Sequence, residues 1–380
     1  MINQIEIINT IKFLIYKESP TLLEKVDFDD DDIFLEPLLF TYFSLKNEIK
    51  FSNKILIELM QGFFLSKEKL DIEYLYNDNN IAYIPKLGYF KKGMKEPLET
   101  IEIIKGTSIE IIKHPLKLLE NVFITRNGVI PKQEIIVSNN IYQDNIEAMT
   151  NAFKFIKQYS YEQYTLIEQC CKKVFLFKCN PDIMNSFESR NAHGIAFFNV
   201  YQDDYDEVFF VDDIAHQTGH NILSTFLFDN KKAFKIDDSQ DVESIIKMKD
   251  HRSINILFHA LYTYYTTLLC LDNCIVQNLF KDKQKHEALG RIAFYLKKLE
   301  LDLKRFNLVN NYFGNIENIL DSSVIKIFEK IEKLYLKMIE KYGEKLKNLN
   351  LKNQPYNFTY SNFVELNTIE NFKNNEYNTI

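Results

Sequence analysis

Val211 to Asp229 reads VDDIAHQTGHNILSTFLFD. Its apolar residues recur at helical spacing and Asp212 or Asp213 suits an N-cap, so a helix is expected over 211–229. His216 and His220 are four residues apart. On a helix that places both imidazoles on one face, on successive turns, with about 5–6 Å between their Cβ atoms. Two imidazoles so placed can share a metal ion. Asp212 lies one turn further back on the same stripe. The competing reading is a pair of core histidines with ordinary hydrogen bonds. Two features favour the cation: the acidic start of the helix, and the apolar segments Ile195–Phe197 and Leu223–Phe228 on either side. These would bury the pair, and buried imidazoles without partners are costly.

Working outward, Val174–Phe177 and Gly194–Val200 read as strands just upstream, preceded by helical periodicity from Asn145 to Lys172. Further back, Ile101–Ile104, Ser108–Ile112, Val122–Thr125 and Glu134–Val137 read as strands of a small sheet. Gly106, Asn127-Gly128 and Pro131 separate them as turn residues. The amino-terminal stretch to Lys67 is helical, with one stripe at Ile5, Ile8, Ile11 and Ile15 and another at Ile55, Ile57, Leu59 and Phe63. The acidic run from Asp27 to Asp32 lacks the mid-loop glycine and final glutamate of an EF-hand, and reads as a solvated loop or helix cap. Downstream, helices are expected over 253–271, 283–306 and 322–349. The Lys/Glu interleaving of Lys326–Lys347 reads as a solvated face. The Asn-rich end offers Phe358, Tyr360 and Phe363 as docking points. The pattern is α+β, predominantly helical: a mixed helix/strand region over 1–140, a metal-site core with long carboxy-terminal helices over 141–350, and a polar tail over 351–380.

Composition narrows the function. The 380 residues are 46% hydrophobic and 26% charged, the balance of a globular protein with a sizeable core. With 10 Gly and 8 Pro, glycine-rich phosphate loops are not expected. A net charge of −7 without a long basic block argues against nucleic acid as partner. No run of about 18 uninterrupted apolar residues suggests a membrane span, and the amino terminus lacks the basic start and small-residue cleavage site of a signal peptide. Cys170, Cys171, Cys179, Cys270 and Cys274 form an odd set, with Cys170 and Cys171 adjacent and Cys270 and Cys274 at helical spacing. Buried free thiols in a reducing cytoplasm are expected.

Ser186–Asp229 resembles the motif-bearing core of the HExxH-motif proteins found with ribosomal peptide-modification systems. There a Ser-containing loop and a Gly-led strand precede an acidic helix with two His. The later HRSINILFHA, residues 251–260, is similar to that family's downstream Arg and His element. The resemblance covers roughly Ser186–Leu269. It implies an iron(II)- and 2-oxoglutarate-dependent peptide β-hydroxylase, with His216, His220 and His259 as iron ligands and a peptide or protein side chain as substrate. The sequence departs from the motif at Gln217, where the family carries Glu.

That departure has a chemical consequence. A zinc peptidase uses the glutamate after the first His as general base on metal-bound water, and an amide cannot take that proton. Oxygen chemistry at a non-haem iron does not need that base. For the third ligand, His259 competes with Asp212, Asp237, Asp238, Asp241 and Glu243, since such sites often use two His and one carboxylate. His259 itself has a second reading, a core histidine bonded to a carbonyl. Arg252 lies two helical turns before His259, and its guanidinium would suit the far carboxylate of 2-oxoglutarate; its alternative is an ion pair with Asp250 or Glu243. Arg190 and Arg291 are reserves. His193 would line the mouth of the site or serve as a turn residue, His114 and His286 are structural or solvent-facing, and Tyr262, Tyr264 and Tyr265 line a pocket or pack in the core. Three functions therefore compete: the oxygenase, a zinc hydrolase, and a non-catalytic peptide-binding protein.

Overall fold

Ile7, Ile8, Ile11 and Ile15 fall on the buried side of the first helix, Ile5–Glu18 (α1), whereas Ile5 is 59% exposed. The stripe therefore begins at Ile7. The computed structural model describes residues 2–66, 69–125, 128–229 and 232–370. Asn127, Lys67 and residues 371–380 of the tail lie outside them. The chain is 57% helix and 10% strand, an α+β and predominantly helical protein.

It clusters into two compact units, each discontinuous in sequence. The first comprises Met1–Thr150, Thr165–Asp204 and Ser224–Asp229; the second comprises Asn151–Tyr164, Tyr205–Leu223 and Asn230–Ile380. A boundary at residue 140 would fall within the helix Asn139–Tyr159 (α4).

In the first unit, α1 is followed by Pro37–Ile49 (α2) and Asn53–Met60 (α3). The acidic run between α1 and α2 is a capped, ion-paired loop. Asp30 accepts the Asp32 N–H at 3.2 Å and starts a single helical turn, and Lys12 and Lys86 pair with Asp31 and Asp30. Ile81–Ile84 (β1) and Gly88–Lys91 (β2) form an antiparallel hairpin that the sequence did not single out. Glu102–Ile103 (β3), Glu110–Ile112 (β4), Lys173–Phe177 (β7), Phe187–Glu188 (β8) and Ile195–Asn199 (β9) form one sheet in the order β3-β4-β7-β9-β8. Ile124–Thr125 (β5) and Gly128–Val129 (β6) make a separate hairpin. β4, β7 and β9 run parallel, and every residue of β7 and β9 is buried. Apolar runs covered on both faces are what parallel central strands require. Phe123 sits edge-on to Phe175, Phe177, Phe187 and Phe197. Lys173, buried at the start of β7, is tolerated because Glu110 at 2.6 Å and Glu36 at 3.2 Å neutralise it. The strand expected over Glu134–Val137 is absent. Lys132–Glu134 is a 3-10 turn after Pro131, and Ile136, 56% exposed, makes only one bridge, to Lys178.

The second unit is helical. It contains the end of α4, the start of Tyr161–Cys170 (α5), and most of Glu207–Asp229 (α6). Ile254–Val276 (α7), Asp282–Phe313 (α8), Ser322–Leu346 (α9) and Tyr360–Leu366 (α10) complete it. Ser253 and Asp321 cap α7 and α9 through their side chains. α7 is long and apolar enough to cross a bilayer by length and composition, but its apolar window is 78% buried inside the protein, as in a core helix. Phe258, Phe306 and Phe328 join α7, α8 and α9 at ring separations of 5.8 and 4.9 Å. The described part of the tail docks at the aromatic residues that the sequence offered. Phe358, Tyr360 and Phe363 are buried, and Gly290 on α8 leaves the space that Phe363 fills, since a Cβ there would lie 2.7 Å from its ring. All five cysteines are buried and free, and burial raises the thiols of Cys170 to about 11 and of Cys171 and Cys270 to about 12.

Candidate functional site

α6 begins four residues earlier than the sequence suggested. Asp206, not Asp212 or Asp213, caps it by accepting the Val208 N–H at 2.9 Å, and the buried Val208 and Phe210 extend the helix upstream. Asp212 and Asp213 therefore sit in its second turn as buried acids. His216 and His220 share one face, with ring centroids 5.4 Å apart. Across from them, α7 presents His259. The His220 and His259 rings stack at 5.6 Å, with their Nδ1 atoms 3.4 Å apart.

This approach depends on Gly219. A Cβ at that position would lie 2.7 Å from Thr266 Oγ1 and 3.4 Å from Thr263 Cγ2. Thr266 Oγ1 in turn donates to the Ala215 carbonyl at 2.8 Å, tying α7 to α6. Without a side chain at Gly219 the two helices meet directly, and His220 and His259 meet with them.

The three imidazoles differ. His259 is buried and His216 and His220 are half-buried. Burial, reinforced by the neighbouring His220 and Lys298, holds His216 well below the usual imidazole range, so it is neutral and able to offer a lone pair. Its Nδ1 is buried without a hydrogen-bond partner. Tyr264 and Tyr295 flank its ring at 6.0 and 5.8 Å. Among the described residues, no group of three or more His, Cys, Asp and Glu side chains is arranged to hold a metal ion as it stands. His220 and His259 form a close pair, and His216 stands beside it.

The other candidates have other engagements. Asp212 receives Arg291 Nη1 at 2.6 Å, and the Arg291 guanidinium also reaches Glu287 at 2.7 Å, all three buried. Tyr295 adds its phenol to Asp212. Arg291 is thus a structural bridge from α8 to α6. Arg252 is not an open guanidinium: its Nε and Nη2 donate to Asp250 at 2.8 and 2.7 Å, and its Nη1 and Nη2 donate to Asp302 at 2.8 and 2.7 Å. Arg305 completes that cluster by pairing with both acids. The ion-pair alternative is the one realised for Arg252, with Asp302 of α8 as an extra partner. Asp237 accepts from Ser239, Asp238 from Asn255, Asp241 precedes a single helical turn, and Glu243 pairs with His251 at 3.0 Å. Gln217 is buried and donates to Asp213 at 3.0 Å.

In the first unit, His193 bonds Thr225 at 3.0 Å and packs on Phe40. His114 pairs with Glu99 at 2.8 Å. Arg190 also belongs there and is exposed. A cavity of about 290 Å³ in this unit, walled by Phe123, Phe175 and Leu119, has Lys132 at its rim paired to Asp78 and Glu120. In the second unit His286 is buried, not solvent-facing, and bonds the Tyr360 phenol at 3.1 Å.

Sequence reasoning missed Lys298. It lies two turns beyond Arg291 and two turns before Arg305, and this seven-residue cationic stripe on α8 was the available signal. Its Nζ donates to the Tyr356 carbonyl at 2.8 Å and sits over Tyr356, Phe294 and Tyr264 at 4.1, 4.9 and 5.4 Å from the ring centroids. Burial lowers it to about 8, with Asp302 opposing and Arg252 reinforcing the shift.

Compared with protein-family models and with curated proteins, the chain has no match.

Proposed function

We propose that this protein is a non-haem iron(II), 2-oxoglutarate-dependent oxygenase that hydroxylates a peptide or protein side chain in a reducing, cytoplasmic setting. The observation that carries the reading is the 3.4 Å separation of the His220 and His259 nitrogens. Two nitrogen ligands at about 2.1 Å from one metal are about 3.0 Å apart at a right angle and about 3.4 Å apart at a tetrahedral one. The pair thus has the span of two ligands on one ion. His216, one turn back and neutral, would be the third residue to hold the ion.

Bound iron would activate dioxygen, the oxidant, with the oxo-acid as the co-reductant that loses CO2, and together they would supply the chemistry for an unactivated C–H bond. The chain's own part is to offer imidazole nitrogens, to keep that of His216 neutral by burial, and to exclude a general base. Gln217 serves that last end: its amide is tied to Asp213 and cannot take a proton from water, which disfavours hydrolysis. Arg252 does not fit the carboxylate-binding part assigned to it, because Asp250 and Asp302 already occupy its guanidinium. The buried free cysteines suit a reducing compartment, and the net charge of −7 suits a basic peptide.

Elemental analysis of protein purified anaerobically tests the reading. Stoichiometric iron, lost in both His220→Ala and His259→Ala, is the expected result. Zinc instead would favour a hydrolase. No stoichiometric metal after iron titration would overturn the proposal and leave a binding protein.

A further inference from the structure

We propose that Lys298 is an anion-binding residue, which takes the carboxylate of a small organic acid beside the histidine cluster. Charge pairing within the second unit sets this residue apart. Arg291 contacts Asp212 and Glu287, while Arg252 and Arg305 each contact Asp250 and Asp302. Each of these three arginines thus touches two carboxylates. Lys298 touches a carbonyl and three aromatic rings. Asp302 and Asp212 act on it only at longer range.

A half-buried ammonium needs either a counter-ion or a partner that stabilises its charge. One carbonyl and three ring faces lessen the cost, while burial still lowers the basicity of the amine to about 8. A carboxylate replacing the Tyr356 carbonyl would make a charge-assisted bond in a partly desolvated site, where such bonds are strong. Tyr356 is itself 74% exposed, and its carbonyl belongs to the segment leading into α10, so that contact is open to exchange.

The second observation is the unpaired, buried Nδ1 of His216. Its ring and the Lys298 ammonium lie on the same aromatic neighbour, Tyr264, at 6.0 and 5.4 Å. An acid bearing a further polar group can therefore address the ammonium with its carboxylate and the histidines with its other end. The chemical class that offers both groups is an oxo-acid or a dicarboxylate. Identifying that acid with the oxygenase's cosubstrate rests on the function proposed above, whereas the anion site does not.

Calorimetric titration of glutarate and of 2-oxoglutarate, with and without iron, tests the assignment in wild type, Lys298→Gln and Lys298→Arg. Glutaramide, which has the same shape without charge, is the control on wild type. At least tenfold weaker diacid binding in Lys298→Gln, substantial retention in Lys298→Arg, and no binding of glutaramide are expected. Affinity in wild type should also fall as pH rises through about 8, where the ammonium is lost. Equal affinity in wild type and Lys298→Gln, equal binding of glutaramide, or no diacid binding to wild type would each overturn the proposal. Should Lys298→Gln fail to fold, the glutaramide comparison and the pH dependence still decide. Iron bound through the histidines together with Lys298-independent diacid binding would remove this residue and leave the oxygenase standing. Lys298-dependent binding in a protein that takes up no iron would do the reverse.

Discussion

Replacing Gly219 by alanine should loosen the contact on which the histidine pair depends. The added methyl would sit 2.7 Å from Thr266 Oγ1, about 0.7 Å short of the 3.4 Å at which ordinary van der Waals contact begins. Thr266 cannot simply turn away, because its hydroxyl bonds the Ala215 carbonyl and is fully buried. Overpacking of this kind costs about 1–3 kcal/mol, and breaking the Thr266 bond adds about 1 kcal/mol. Alanine returns about 1 kcal/mol through its better helix propensity. The net expectation is a loss of about 1–3 kcal/mol, read as a lower urea midpoint at unchanged slope. Because the two helices must part by several tenths of an ångström, the His220–His259 contact should lengthen as well, and on the proposed function iron affinity should fall with it. Thr266→Ala removes the obstructing oxygen, so Gly219→Ala should be much less harmful in that background, and a double-mutant cycle isolates the coupling. A Gly219→Ala protein as stable as wild type, or a cycle with no coupling, would refute the reasoning.

Arg291→Met should destabilise by about 3–5 kcal/mol, since Asp212 and Glu287 would be left buried without their cation; a change below about 1 kcal/mol in chemical denaturation would show that the triad is not needed. His286 makes the protein acid-sensitive. Burial lowers it to about 4 from an ordinary 6.5, so between those values the unfolded chain binds the extra proton and stability falls as pH falls. At about 1.4 kcal/mol per unit, the full window is on the order of 3 kcal/mol. Melting temperature against pH should therefore be flatter between pH 6.5 and 4 in His286→Phe than in wild type, and identical slopes would refute this assignment.

What could be read from the sequence was local. Helical periodicity located most of the long helices, because a 3.6-residue stripe needs only its own neighbours to be legible. The apolar runs that became β7 and β9 were legible for the same reason, as was the side-by-side placement of His216 and His220. Short strands such as β1 and β2 escaped, since four residues carry little periodic signal. Glu134–Val137 misled in the opposite sense, because a short β-branched run that meets a neighbour only through the bridge from Ile136 to Lys178 does not extend into a strand.

The site itself was decided by tertiary pairing. Asp212 looked like a helix cap or a ligand until Arg291, 79 residues away, claimed it. Arg252 looked available until Asp302, 50 residues away, closed around it together with the nearby Asp250. Both residues are charged, and a charged residue's role depends on which opposite charge the fold brings within about 4 Å, a quantity that local spacing does not encode. Lys298 acquired its interest in the same way, from the partners it did not receive. The sequence by itself determined which residues could form helices and which imidazoles shared a helix face. Only the packing of α6 against α7 at Gly219, and of α8 alongside them, decided which polar groups were neutralised and which were left to meet a ligand.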